Sequence, residues 1–132
     1  MEQIAVNLDK YSASFRRDLR ITLDMARATE QVGCGCHAAS LRYKNQIVSY
    51  GVNKRKTHPL QKRFADKAER IYLHAEIDAI VSFIQKFGSN LLKETELIIV
   101  RVTKDGQPAL SKPCLGCQKA IRAFNIKNVY YT

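Results

Sequence analysis

The chain has 132 residues, 45% of them hydrophobic, enough for one domain built round a single core. It carries 22 Lys and Arg against 12 Asp and Glu, a formal net charge of +10, and has no repeat or low-complexity tract. No apolar run approaches the ~20 residues of a membrane-spanning helix, which excludes that class.

The opening Met1-Glu2-Gln3-Ile4 lacks the basic-then-apolar pattern of an export signal. Four Cys without such a signal point to the reducing cytoplasm, where thiols bind metal more often than they form disulfides. Residues 1–13 show no periodicity and read as a lead-in to a single domain spanning 1–132. Ser14 suits an N-cap, with Asp18 in the first turn to complement the helix dipole. Phe15, Leu19, Leu23 and Ala26 recur at helical spacing, predicting a helix to about Glu30, where Val32-Gly33 stops it. Residues 38–43 and 47–52 read as two strands joined through Lys44-Asn45-Gln46 in an antiparallel hairpin. Gly51 marks a close approach of backbone to a ligand, or a bulge.

The stretch 53–70 is polar, contains Pro59 and reads as a long loop of the kind that carries function. Lys54, Arg55, Lys56, His58, Lys62, Arg63, Lys67 and Arg70 crowd it, diluted by Asp66 and Glu69. Arg16, Arg17, Arg20 and Arg27 stud the first helix. This surplus favours phosphate-bearing partners, nucleotide or nucleic acid, against the plain alternative of a solvated basic face. Charge alone does not separate a mononucleotide from a polynucleotide.

Residues 74–87 make the strongest helical pattern, with Ile77, Ile80, Val81, Ile84 and Phe87 in one apolar stripe and Gly88 at the C-terminal cap. Residues 96–102 are almost continuously apolar, as a strand covered on both faces should be. Lys104-Asp105-Gly106 marks a turn and 107–112 a loop. A further helix covers 114–124, with Leu115, Ile121 and Phe124 inward and Asn125 as a left-handed cap. Residues 128–131 form the last strand. The helix between strands 96–102 and 128–131 is a right-handed crossover, so those strands run parallel. The order of elements gives a three-layer α/β/α sandwich with a mixed sheet.

Two short stretches carry chemistry: His74-Ala75-Glu76 and Pro113-Cys114-Leu115-Gly116-Cys117. By itself, H-x-E is usually a satisfied histidine, and C-x-x-C can be a redox pair or half of a zinc ribbon. The ribbon lacks its other half, because Cys34-Gly35-Cys36 has the wrong spacing, and no short strand feeds directly into Cys114 as in a thioredoxin-like motif. Together, one His and two Cys at helix starts form a three-ligand zinc set that leaves one tetrahedral position for water. Helix N-termini favour thiolates, and Pro113 suits the entry to a helix. Zinc lowers the pKa of water from about 15.7 to about 7. Glu76, not itself a ligand, is the carboxylate placed to shuttle protons, a role worth roughly 10²–10⁴-fold, while Asp78 points elsewhere on the helix.

H-x-E followed by P-C-x-x-C is the signature of zinc nucleobase deaminases, and from about Cys36 onward the chain resembles the cytidine/deoxycytidylate deaminase superfamily. Residues 36–53 resemble its first hairpin, ending in Gly51-Val52-Asn53. The run His74-Ala75-Glu76-Ile77-Asp78-Ala79-Ile80 resembles its H-A-E-x-x-A-I. The Cys114–Cys117 motif continues into Ala120-Ile121 and Asn128-Val129-Tyr130-Tyr131, as in deoxycytidylate and tRNA-adenosine deaminases. His74 points away from cytidine deaminases of similar length, which usually carry Cys there.

The resemblance implies a cytidine deaminase-like fold, zinc on His74, Cys114 and Cys117, and Glu76 as the catalytic residue. It further implies Asn53 against the sugar or base and the Ala75 backbone against the pyrimidine. Lys54, Lys56, Thr57 and His58 are expected at the phosphate, from position and charge only. The expected reaction is hydrolysis of a cytosine nucleotide, dCMP first. Deamination of tRNA adenosine or single-stranded DNA cytosine is the alternative. A non-enzymatic, zinc-stabilised nucleotide-binding module is a third reading, against which an intact Glu76 speaks. Members usually continue past the strand matching 128–131 into another helix, so a homo-oligomer is expected to complete the substrate wall. A second, structural zinc on Cys34, Cys36, His37 and His58 stands against plain unligated thiols.

Overall fold

The computed structural model describes residues 1–29, 35–65 and 72–132. The expected helix end at Glu30, the Val32-Gly33 stop, Cys34, and Asp66, Lys67, Glu69 and Arg70 of the basic stretch lie outside the described residues. The segment before the first helix is more than a lead-in, for Glu2–Gln3 forms strand β1. Helix α1 (Ala13–Arg27) begins two residues earlier than expected, because Ser12, not Ser14, caps it by accepting from the Phe15 N–H at 3.1 Å. Asp18 therefore sits beyond the first turn, where it is buried against Arg42. Strands β2 (Cys36–Tyr43) and β3 (Gln46–Val52) form the predicted hairpin around a two-residue loop. Lys44 and Asn45 both take positive φ, 52° and 64°, the geometry that matches strand twist in so short a connection.

The expected long loop holds short elements instead: β4 (Lys54–Thr57), α2 (Pro59–Phe64) and β5 (Tyr72–Leu73), which pairs with β4. Helix α3 (Ala75–Phe87) ends on Gly88, at φ 76°. Its inward stripe is Ile77, Ile80 and Phe83; Phe87 is largely exposed and stacks on Phe83. Strand β6 (Glu96–Val102) has the predicted bounds, and two residues of the expected loop after it form β7 (Pro108–Ala109). Helix α4 (Leu115–Ala123) closes on Asn125, at φ 56°, and leads into β8 (Asn128–Tyr131). Leu115 faces solvent at 61% exposure, contrary to expectation, because Gly116 and Cys117 take the inward face of the first turn.

The main sheet runs β1-β8-β6-β2-β3, with β7 beside β6. β6 and β8 are parallel, as are β8 and β1, while β2 is antiparallel to both its neighbours. Alternate residues of β2 and β6 face opposite layers. Ala38, Ile98, Val100 and Val102 pack on Phe15, Leu19 and Ala26 of α1. Ala39, Leu41, Leu97 and Ile99 pack on Ala75, Ala79, Ile80 and Phe83 of α3 and on Ile121 of α4. The predicted three-layer α/β/α sandwich is thus the observed fold, with α3 and α4 sharing one face. No helix among the described residues is long and apolar enough to cross a membrane.

Gly51 settles where α3 lies. A Cβ there would meet the Ala79 nitrogen at 2.4 Å and the Ala75 oxygen at 2.5 Å. The close approach is therefore to helix backbone, not to a ligand, and it seats the first turn of α3 directly on the sheet.

Candidate active site

His74 and Cys114 are each the N-cap residue of a helix, with extended φ/ψ, and neither side chain caps its own helix. Both are free to turn toward the space between the two helix ends. There the His74 Nδ1 lies 3.6 Å from the Cys114 Sγ and 3.3 Å from the Cys117 Sγ. All three ligand atoms fall within 4.8 Å of one another. A tetrahedral zinc with bonds of about 2.3 Å to sulfur and about 2.0–2.1 Å to nitrogen would hold S and N about 3.6 Å apart. The donor set fits the ion. These are the sole three-residue metal-ligand group among the described residues.

Electrostatics separates the two thiols. Cys114, half-buried, is held down to about 4 by a hydrogen bond with Cys117 and, after that, by His74. Cys117 is buried and pushed up by sharing that bond with Cys114 and by desolvation. With both motifs at positive helix ends, the pair is set to give up its remaining proton to a cation. Glu76 is 5% exposed and within hydrogen-bonding reach of Cys117. Burial raises its pKa, and nearby His74 offsets part of that rise. A carboxyl so placed holds and releases a proton closer to neutrality than a solvated one does.

Two elements brace this arrangement. Gln61 on α2 is fully buried, and its Oε1 accepts from the His74 backbone N–H at 3.0 Å. Two residues of the same short helix, Leu60 and Phe64, pack with Leu73, Ile77 and Cys117. A Cβ on Gly116 would come 2.5 Å from the Phe64 oxygen, so α2 sits directly on the first turn of α4. Helix α2 is thus wedged between both ligand-bearing ends and fixes their separation.

Residues 16–132 match the family model described as the cytidine and deoxycytidylate deaminase zinc-binding region. The chain belongs to that family. Zinc is therefore the ion that His74, Cys114 and Cys117 are built to hold. Among curated proteins no sequence matches this family member. Among solved structures it is similar to a dCMP deaminase from the cyanophage S-TIM5, with TM-score 0.61 at 20% identity over 92% of this chain and 84% of that one. The same phage protein in complex with dCMP and dUMP gives TM-score 0.60 at 18% identity, covering 92% and 82%. A tRNA:A34 deaminase of A-to-I editing at the wobble position gives TM-score 0.59 at 20% identity, covering 90% and 76%.

The remaining expected site residues of this family member fall into two groups. Ala75 is buried in the first turn of α3, and Asn53 is buried at the end of β3. The Asn53 Oδ1 accepts from the His37 N–H at 2.9 Å, and its Nδ2 donates to the Gly35 oxygen at 3.1 Å. Asn53 thereby ties the start of β2 to the site. Lys54, Lys56, Thr57 and His58 lie along β4 and its exit. The Lys54 Nζ reaches Asp78 at 2.9 Å, and the His58 Nδ1 accepts from the Leu60 N–H to cap α2. Lys56 and Thr57 are exposed. Asp78 points away from the metal ligands, as expected: it accepts from the Val52 N–H as well as pairing with Lys54.

The Cys36 Sγ donates to the Thr29 oxygen at 3.2 Å, and a second group built on Cys34 falls outside the described residues. Sequence reasoning named His37 only as a possible metal ligand and missed Gln61 and Arg101 at the site. His37 and Arg101 face each other across β2 and β6, on the sheet face that carries α3.

Proposed function

We propose that the chain hydrolyses the exocyclic amine of a cytosine nucleotide, converting dCMP and water to dUMP and ammonia. One observation carries this reading: a buried carboxyl, Glu76, beside a three-donor zinc set whose fourth position no described residue fills. A binding module has no use for a raised-pKa carboxyl at that spot. The basic strand β4 and the dCMP and dUMP bound by the phage protein of like fold support a nucleotide substrate.

Zinc, when bound, supplies the Lewis acidity that makes water a nucleophile near neutral pH. Glu76 takes a proton from the attacking water, passes it to the ring nitrogen and then to the amine, so that ammonia departs neutral as the carbon–nitrogen bond breaks. The Ala75 N–H and Asn53 hold the pyrimidine and sugar, while Lys56, Thr57 and His58 lie along the route to the phosphate. The chain works as a homo-oligomer in the cytoplasm, where its thiols stay reduced, and a neighbouring copy completes the substrate wall. Gel filtration with light scattering checks the oligomer.

Ammonia release by zinc-loaded protein decides the reaction. Turnover of dCMP is expected, and silence on dCMP, dCTP and cytidine while a control deaminase works overturns it. Exposed Tyr72, at 54%, and Leu115, at 61%, flank the ligands beside basic β4 and favour a second reading, a base presented on a single strand. Under that reading, deamination of oligonucleotides exceeds that of dCMP and falls steeply with salt.

A further inference from the structure

We propose that His37 and Arg101 form an anion-recognising floor of the same site, and that the group they read is the phosphate of the nucleotide; this rests on the deaminase reading above. Their placement follows from the sheet. The two residues are register partners, one step beyond Ala39 and Ile99, which are covered by α3 and α4. At that level the helices have just begun, and the sheet end outside them is open. Ligands of open α/β sheets bind beyond the carboxyl ends of the strands, and Arg101 is the penultimate residue of the parallel strand β6.

The local contacts join the pair to the site. The His37 ring donates to the Gly35 carbonyl and lies close enough to Arg101 and His74 for both to depress its pKa, after burial itself. Neutral imidazole, with one nitrogen fixed on Gly35, turns the other toward a donor or a protonated phosphate oxygen. Gly35 also makes room for Arg101: a Cβ there would meet the Arg101 Nε at 2.8 Å. Asn53 in turn binds both the Gly35 oxygen and the His37 N–H. Asn53, Gly35, His37 and Arg101 therefore form one connected unit next to the metal ligands.

The chemistry selects the ligand. A guanidinium presents a planar fork of donors that matches two phosphate oxygens at once. Cytosine and deoxyribose carry no negative charge at neutral pH, so the phosphate is the part of the substrate that such a group distinguishes. The β4 lysines compete poorly for this role, since Lys54 is engaged by Asp78.

The test is calorimetric titration of the zinc-loaded chain with dCMP, deoxycytidine and inorganic phosphate, for wild type, Arg101→Gln, Arg101→Lys and His37→Val. Wild type is expected to prefer dCMP to deoxycytidine. Arg101→Gln should weaken dCMP roughly 10- to 100-fold and leave deoxycytidine within about 2-fold, the span of a charge-assisted bond lost from one partner. Arg101→Lys keeps the charge without the fork and should fall between, and it carries the test if Arg101→Gln does not fold. His37→Val should show the same selectivity loss in smaller measure. Equal loss for both ligands, or none for dCMP, overturns the proposal. Ammonia release by wild type separates the two readings. Arg101-dependent preference for dCMP without turnover sinks the deaminase and leaves the floor standing, whereas turnover with an unchanged preference does the reverse.

Discussion

Two buried polar clusters sit on opposite faces of the sheet, and they solve the cost of burial in opposite ways. On the α1 face, Arg42 is 3% exposed and donates from Nε to Asp18 at 2.8 Å, from Nη1 to Glu96 at 2.9 Å and from Nη2 to Ser14 at 3.0 Å. Arg17 completes Asp18 at 2.9 Å, and Thr22 and Ser40 share a proton at 2.7 Å alongside. Opposite charges and matched donors complete that cluster from within the chain. On the α3 face, an imidazole nitrogen and two sulfurs turn their lone pairs toward one point, with a carboxyl beside them. Such a set is stable only around a cation. The first cluster holds the fold together, and the second is where the fold does work.

Breaking the second cluster at its reactive end should give the largest effect. Glu76→Gln keeps the shape and removes the proton carrier, so turnover should fall roughly 10²–10⁴-fold. Zinc content should stay unchanged, and stability should hold or rise because a buried carboxylate is lost. Parallel measurement of ammonia, zinc and melting checks this, and undiminished turnover would remove Glu76 from its role.

The α1-face cluster should respond the other way. Arg42→Met strands Asp18 and Glu96 and should cost about 3–5 kcal/mol in urea unfolding, with turnover per folded molecule little altered. Adding Asp18→Leu should restore much of the loss, since a buried pair is often replaced by apolar groups at small cost. A double variant as unstable as Arg42→Met alone would show that Glu96, not Asp18, is the partner that matters.

These clusters also differ in how far they could be read from the sequence. The ligands and Glu76 announce themselves because their geometry is set locally, by spacing within two helix starts. Helix α3 and strand β6 were legible for the same reason, a strong repeat over many residues. Asp18 was not, because its partner Arg42 lies 24 residues away and meets it only through α1–β2 packing. The short elements β4, α2 and β5 lack any repeat and exist through tertiary contacts such as Gln61 with His74. Likewise His37 and Arg101 become site residues only through the β2–β6 register. Leu115 misled because apolar character alone does not say which way the first residue of a helix points.

Gln61 offers a finer test of the metal cluster. It touches no ligand atom, only the backbone of His74, so Gln61→Leu should leave the donor set intact but less firmly oriented. Zinc affinity should fall about 10–100-fold, as for outer partners of metal ligands generally. Competition with a chromogenic chelator measures this, and the visible spectrum of the cobalt-substituted chain would show the distorted geometry. Unchanged affinity and spectrum would mean that α2 merely covers the site.

The smallest effect belongs to Lys54, which sequence position alone would send to a phosphate. Its ammonium is 2.9 Å from Asp78, with 40% of its side chain still exposed, so the pair lies in strong screening. Lys54→Met should therefore cost less than about 1 kcal/mol in stability. Asp78 keeps its hydrogen bond from the Val52 N–H at 3.1 Å and so stays in place. The KM for dCMP should not move, because the lysine is turned to the flank of α3 and not to the ligands at its start. A several-fold rise in KM with kcat unchanged would show that Lys54 leaves Asp78 for the substrate, and would shift phosphate recognition from the floor of the site to its rim.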